Sequence, residues 1–201
     1  MSLKELKNSY LKKQLIIEKR LQDFRKPKTN EELFAELAFC LTTPQSKAKL
    51  CWSSIETLKA KNILFSNAGK IRPCLNCRFS NNKSRYIEEA AKGFDELKKK
   101  LQSNNKEEIR EWLVKNIKGF GYKEASHFLR NIGIDDFAIL DRHILKNLKK
   151  YGVIDEVPKS LSPKKYLEIE DKMRKFAKRV DIPISHLDLL FWSEETGEIF
   201  K

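Results

Sequence analysis

The chain lacks any run of about eighteen apolar residues, so no segment of it has the length to cross a bilayer as a helix. Its first residues, MSLKELKNSYLKKQ, alternate charge with apolar side chains where a secretory signal would carry an unbroken apolar core. A soluble intracellular protein with no membrane partner is expected, cytoplasmic in a prokaryote. Cysteine is scarce: Cys40, Cys51, Cys74 and Cys77 in 201 residues do not make a disulfide scaffold, and reduced thiols are expected. Cys74-x-x-Cys77 has the spacing of half a zinc site, but no second pair follows and no histidine lies nearby, so neither a metal nor a cofactor is expected. Nothing alternates as a strand does, which leaves an all-α fold, either one core or two small helical lobes sharing a cleft.

What is abundant is positive charge. Against 28 acidic residues stand 41 lysines and arginines, a formal charge of +13, which suits a polyanion and favours nucleic acid. Lysine-rich helix surfaces also serve solubility alone, so charge by itself chooses no function. Apolar residues recur with helical spacing from Leu3 to about Arg25, at Leu3, Leu6, Tyr10, Leu11, Leu15, Ile17 and Leu21. Lys26-Pro27-Lys28 ends that helix, and Thr29-x-x-Glu32 has the spacing of a capping box. The helix it opens, ELFAELAFCLTTPQ, is apolar on nearly all sides and is expected to be central. Ser46 to Leu58 reads as the next helix, and residues 63–80 as the least regular stretch. Tyr86 to Leu101 reads as one long helix, and Asn105 as the cap of the helix carrying Ile109, Trp112, Leu113 and Ile117. Ser162-Pro163 marks a strong helix start, with Tyr166, Ile169, Met173, Phe176, Ala177 and Val180 on one face.

The most informative stretch runs from Trp112 to Tyr151. It predicts a helix, a tight turn at Gly119-Phe120-Gly121, a second helix opening at Tyr122-Lys123, a loop through Gly133, and a third helix opening at Asp141. Two glycines let the chain turn without a Cβ clash and leave amide N–H groups facing outward, which suits a phosphate. Any short helix-to-helix connection favours glycine, however, and Asp before an apolar-periodic helix is an ordinary N-cap.

With Lys123 just after the glycines and Asp141 eighteen residues later, the segment resembles the helix-hairpin-helix superfamily of DNA glycosylases. The wording GFGYKEASHFLRN…AILDRHI is most similar to the archaeal-type 8-oxoguanine DNA glycosylase/AP lyases, a branch of it. The resemblance implies one glycosylase unit over residues 1–201, made of two interleaved helical lobes around a DNA-binding cleft, with the hairpin motif at about 112–132. It implies a monomer acting on double-stranded DNA that contains 8-oxoguanine. Lys123 would be the nucleophile and Asp141 its supporting carboxylate, while Gly119 and Gly121 would hold the DNA backbone. Arg78-Phe79 matches the pair that fills the space left by an extruded base, and Gln45 lies where a lesion-facing turn is expected. Trp192 and Lys201, nine positions apart, match residues lining the base pocket. Each has a plainer reading: Gln45 in an ordinary loop, Phe79 as a lid on the core, Trp192 as core and Lys201 as packed tail. His127 and His143 read as buried, hydrogen-bonded structural histidines. No cysteine follows Cys77, so the iron–sulfur motif of some relatives is not expected, and neither is an added N-terminal β-domain.

A lysine is ordinarily protonated and cannot attack carbon; the start of a helix is a place where a cation is disfavoured. The implied chemistry is amine attack on the sugar C1′ of an extruded nucleotide, Schiff-base formation and β-elimination, with a carboxylate stabilising positive charge on the sugar. A glycosylase for another damaged base and a non-enzymatic DNA-binding module are the competing readings.

Overall fold

The computed structural model describes residues 3–201, and all regular structure among them is helical, eleven α-helices and one 3-10 turn. The chain divides into two units: Pro27–Phe128, and the N-terminal stretch up to Lys26 together with Leu129–Lys201.

The Pro27–Phe128 unit is organised around α2 (Asn30–Thr42), whose residues from Phe34 to Thr42 are all buried. Its start is fixed by the capping box: Thr29 Oγ1 accepts from Glu32 N–H at 3.2 Å while the Glu32 carboxylate accepts from Thr29 N–H at 2.8 Å. Helices α3 (Ala48–Ala60) and α5 (Ser80–Lys92) pack on it, with α4 (Ala68–Ile71) and a 3-10 turn at Arg72–Cys74 beside them. α6 (Phe94–Lys100) follows α5, and α7 (Lys106–Asn116), capped by Asn105, follows α6. Two of the expected helices have bounds that differ from the sequence expectation. The Tyr86–Leu101 helix is two helices that meet at Gly93, with φ −94° and ψ 8°, and the first begins earlier, at Ser80. The break turns Phe94 into the core, edge-on to Phe34 at 5.1 Å between ring centroids. α3 begins two residues later than Ser46 because the Ser46 hydroxyl is engaged elsewhere, accepting from Arg78 and Lys83.

In the other unit the central element is α11 (Ile184–Thr196), buried at Leu187, Leu189, Leu190 and Phe191. α1 (Leu3–Arg25), α9 (Arg142–Lys150) and α10 (Pro163–Val180) pack against it. The face α1 buries carries Leu6, Ile17, Leu21 and Phe24, with Tyr10 and Lys13 between them bonding His186 and Ser193 at 2.9 Å each. Leu11, Leu15 and Ile16 fall off this stripe and are exposed. α10 starts as expected, Ser162 capping and Pro163 in first position, and the six apolar residues expected on one face are all buried while Leu167 is exposed. The end of α8 (Tyr122–Asn131) contributes Arg130, which forms a buried ion pair with Asp188 and lies over the Phe24 ring. Removing either charge alone would strand the other away from water.

Candidate active site

The hairpin is formed by the end of α7 and the start of α8. Ile117 N–H still donates to Leu113 O at 3.0 Å, and the chain then turns through Gly119-Phe120-Gly121. Gly119 has φ +93°, and a Cβ there would stand 2.6 Å from Cδ2 of Tyr86 on α5. Glycine is the residue such a turn admits. Phe120 is buried, tilted against Phe128 at 6.3 Å, which anchors the turn to α8. The amides are less open than the glycine spacing suggests. Phe120 N–H donates to Ile117 O at 3.0 Å, and Gly121 N–H donates to a Glu124 carboxylate oxygen at 3.2 Å. The first turn of a helix leaves N–H groups without partners inside the helix, and an acidic side chain three residues on takes one of them. Gly119 itself is exposed.

Lys123 is the second residue of α8. Its amine donates to Thr43 Oγ1 at 3.4 Å and lies 3.5 Å from Glu124 Oε1, with 23% of the side chain exposed. Thr43 belongs to the Thr42-Thr43-Pro44-Gln45 turn that ends α2, so the amine sits beside the turn that presents Gln45. Gln45 is exposed with φ +53°, and Phe79 is 53% exposed with φ +59°. Both hold a left-handed backbone that residues with a side chain seldom adopt, which surroundings must enforce. The Arg78 guanidinium lies over the Phe79 ring at 5.3 Å. Lys83 supplies the enforcement. This buried lysine on α5 donates to Thr42 O and Pro44 O at 2.7 Å and to Ser46 Oγ at 3.0 Å, and Ser46 Oγ also accepts from Arg78 N–H at 3.1 Å. One ammonium thus ties the Gln45 turn to the Arg78-Phe79 loop. Sequence reasoning missed Lys83 and Glu124; only Glu124, acidic in a first helical turn after glycine, carried a local signal.

Gln45, Arg78, Phe79, Gly119, Gly121 and Lys123 belong to the Pro27–Phe128 unit, and Asp141, Trp192 and Lys201 to the other. Asp141 follows Phe137–Leu140, a buried segment outside any helix. Its backbone groups are met by α10: Ala138 N–H donates to Glu170 at 2.8 Å, Leu140 N–H donates to Tyr166 Oη at 3.2 Å, and Tyr166 donates to Ala138 O at 2.6 Å. Buried polar groups need such partners. So held, the segment delivers Asp141 as the N-cap of α9, its Oδ1 accepting from Ile144 N–H at 2.8 Å. Trp192 is partly exposed on α11. Gly197 (φ +82°) ends that helix, and Phe200 stacks on the Trp192 ring at 6.3 Å, with Lys201 partly covered beyond it. His127 is buried, edge-on to Phe39 at 5.5 Å. His143 departs from expectation: 39% of its side chain is exposed, and Nδ1 lies 3.6 Å from a Glu195 carboxylate oxygen on α11.

Among the described residues no group of three or more His, Cys, Asp or Glu is placed to hold a metal ion, and no helix is long and apolar enough to cross a membrane. Residues 17–182 match the model of the 8-oxoguanine DNA glycosylase family. The 8-oxoguanine DNA glycosylase/AP lyase of Fusobacterium nucleatum is 44% identical over 98% of this chain and 96% of its own length. The crystal structure of the Thermotoga maritima 8-oxoguanine DNA glycosylase superposes with a TM-score of 0.90 at 34% identity, covering 99% of this chain and 98% of that one. The Methanocaldococcus jannaschii 8-oxoguanine glycosylase/lyase, in complex with a 15mer DNA containing 8-oxoguanine, gives 0.88 at 41% identity, covering 99% and 97%. Matched over most of its length by the family model and end to end by these relatives, the chain belongs to the 8-oxoguanine DNA glycosylase family.

Proposed function

We propose that this protein is a bifunctional DNA glycosylase/AP lyase of base-excision repair that removes 8-oxoguanine from double-stranded DNA. The observation that carries this reading is the Lys123 amine, held at the start of a helix directly after a Gly-Phe-Gly hairpin, in a chain matched end to end by relatives bearing that name. Thr43 and Glu124 fix the amine against the turn that ends α2. In its unprotonated form it attacks C1′ of the extruded nucleotide as the base departs, and the imine that forms opens the path to β-elimination of the 3′ phosphate. Asp141 is the carboxylate that steadies positive charge on the sugar, a role compatible with its cap because one oxygen suffices for Ile144.

The remaining assignments follow the same reading. Arg78 and Phe79, exposed on a strained turn, enter the duplex where the nucleotide leaves it, and Gln45 faces the lesion site. Trp192 and Lys201 contribute to base recognition. The amide of the exposed Gly119 meets a backbone phosphate, and Gly121 joins it when the Glu124 carboxylate turns away. The test is borohydride trapping on a duplex with a single 8-oxoguanine. The protein forms a covalent complex and releases free base, and Lys123→Gln abolishes trapping. Trapping that persists in Lys123→Gln removes the nucleophile assignment, and release of a different base from a panel of damaged duplexes in preference to 8-oxoguanine removes the substrate assignment.

A further inference from the structure

The Pro27–Phe128 unit contains a cluster of sulfur and charge that base excision does not use. Cys51 is fully buried on α3, and its Sγ lies 3.2 Å from Thr42 O. The Lys83 ammonium donates to that same carbonyl oxygen at 2.7 Å, so thiol and ammonium converge on one atom. Cys77 comes from the loop between the 3-10 turn and α5, and its thiol is the neighbour with the largest influence on that of Cys51. Both residues flanking Cys77 are tethered to the α3 region on either side of Cys51: Asn76 N–H donates to Ser54 Oγ at 2.8 Å and Arg78 N–H to Ser46 Oγ at 3.1 Å. The pairing of the sulfurs is therefore fixed by backbone on both sides.

We infer that Cys51 and Cys77 are a reversible modification site, a dithiol that hydrogen peroxide converts to an intramolecular disulfide. Lys83 is a buried cation whose direct hydrogen-bond acceptors are neutral oxygens, and its electrostatic surroundings include the two thiols together with the positive Lys123 and Arg78. The hydrogen bond from Cys77, helped by the Lys83 charge, lowers the Cys51 thiol to about 7 against the opposing effect of burial. Donating that hydrogen bond raises Cys77, which burial raises further. The Lys83 charge favours a thiolate on either sulfur, and Cys77, partly exposed, gives peroxide access to the pair. The thiolate of the pair attacks one peroxide oxygen and expels hydroxide, giving a sulfenic acid. The other sulfur then attacks the sulfenic sulfur, its proton leaving with the sulfenic oxygen as water. Two thiols and one peroxide yield one disulfide and two waters, and the two electrons pass from sulfur to peroxide oxygen. A dithiol reductant reverses the link by exchange.

The bond would fasten the loop immediately before Arg78 and Phe79, so this consequence, unlike the chemistry, rests on the DNA-contact reading proposed above. The full chain is treated with hydrogen peroxide, alkylated and mapped by mass spectrometry without reduction. The expected product is lighter by two hydrogens, joins the Cys51 and Cys77 peptides, forms unchanged in Cys74→Ser and Cys40→Ala, and is absent from both Cys51→Ala and Cys77→Ser. A link between Cys74 and Cys77, or peroxide carrying Cys77 to sulfinic acid while Cys51 stays alkylatable, overturns the assignment. Base release from an 8-oxoguanine duplex by the linked protein is expected to fall several-fold and to return on reduction. A linked protein with unchanged turnover keeps the dithiol and removes its effect on the loop, whereas an unlinked protein without turnover bears on the catalytic reading alone.

Discussion

Replacing Gly119 by alanine separates the two reasons a glycine occupies the hairpin. At φ +93° an L-residue is strained whatever surrounds it, and the added Cβ would also meet Tyr86 Cδ2 at 2.6 Å, Tyr86 Cε2 at 3.0 Å and Leu41 Cδ2 at 3.3 Å. The handedness contributes about 1–2 kcal/mol, and forcing a methyl group against packed side chains contributes about 1–3 kcal/mol. Together these predict a loss of roughly 2–5 kcal/mol, against a total stability of about 5–15 kcal/mol for an ordinary domain. Gly152 provides the control: its φ is +66°, and an added Cβ meets nothing within 4 Å. Gly152→Ala should therefore show only the backbone contribution, about 1–2 kcal/mol. The assay is urea unfolding of both variants beside the parent. Gly119→Ala is expected to lose at least about 1 kcal/mol more than Gly152→Ala, and a Tyr86→Leu background, which removes the ring, should narrow the gap. Equal losses in the two alanine variants would refute the packing argument, since the close approach to Tyr86 would then cost nothing.

Asp141→Asn keeps an N-cap oxygen, so its unfolding midpoint should stay within about 0.5 kcal/mol of the parent, while base release falls on the order of a hundredfold through the lost charge. Asp141→Ala adds a stability loss of about 1 kcal/mol; unchanged excision in the asparagine variant would confine Asp141 to capping. Glu124→Gln keeps an acceptor for Gly121 N–H but removes the negative charge standing at the hairpin, and fluorescence anisotropy should show binding to undamaged duplex tighter by about 1 kcal/mol, roughly fivefold at low salt. Weaker binding would mean that the carboxylate shapes the hairpin instead of standing where a phosphate goes. His186, hydrogen-bonded to Tyr10, titrates below its ordinary range because burial, with Arg25 adding to it, outweighs Glu18 and Asp135. The unfolded chain then takes up the proton first, so the stability this group contributes is present above about pH 6.5 and lost as pH falls below it. Urea midpoints between about pH 7.5 and 5.5 should drop more steeply in the parent than in His186→Gln; identical slopes would refute the assignment.

What was legible in the sequence was local. Thr29-x-x-Glu32, Asn105 and Ser162-Pro163 each act through groups within a turn of themselves, and the helices start where those signals lie. The uniformly apolar α2 is central because a helix without a polar face has nowhere else to go. The misread stretches are those where tertiary contacts overrule the pattern. On α1 the packing stripe runs through Tyr10 and Lys13, whose stems lie along the core side while their tips bond His186 and Ser193, so counting apolar residues alone put Leu11 and Leu15 on the wrong face. The Gly93 break had only a single glycine as its signal, which a helix tolerates. The hairpin amides were expected to be open because the glycines were weighed without the carboxylate three residues on.

The candidate site shows the same division more sharply, and its cause is composition. Asp141 is readable because a cap declares itself beside the helix it starts, but the segment that delivers Asp141 is held by Tyr166 and Glu170, more than twenty residues away and apparently ordinary members of α10. Lys83 is harder still. It is one of 41 basic residues, and the excess that points to DNA is the background against which a lysine with a different task cannot be picked out. What sets it apart is that Thr42 O, Pro44 O and Ser46 Oγ converge on its amine from 37–41 residues earlier in the chain. A buried ammonium so bonded fixes geometry, whereas an exposed one attracts phosphate, and the two demands oppose each other because burial removes the charge from the DNA's reach. Lysines facing solvent should therefore govern how duplex affinity changes with salt, while Lys83 governs whether the Gln45 turn and the Arg78-Phe79 loop stay in register.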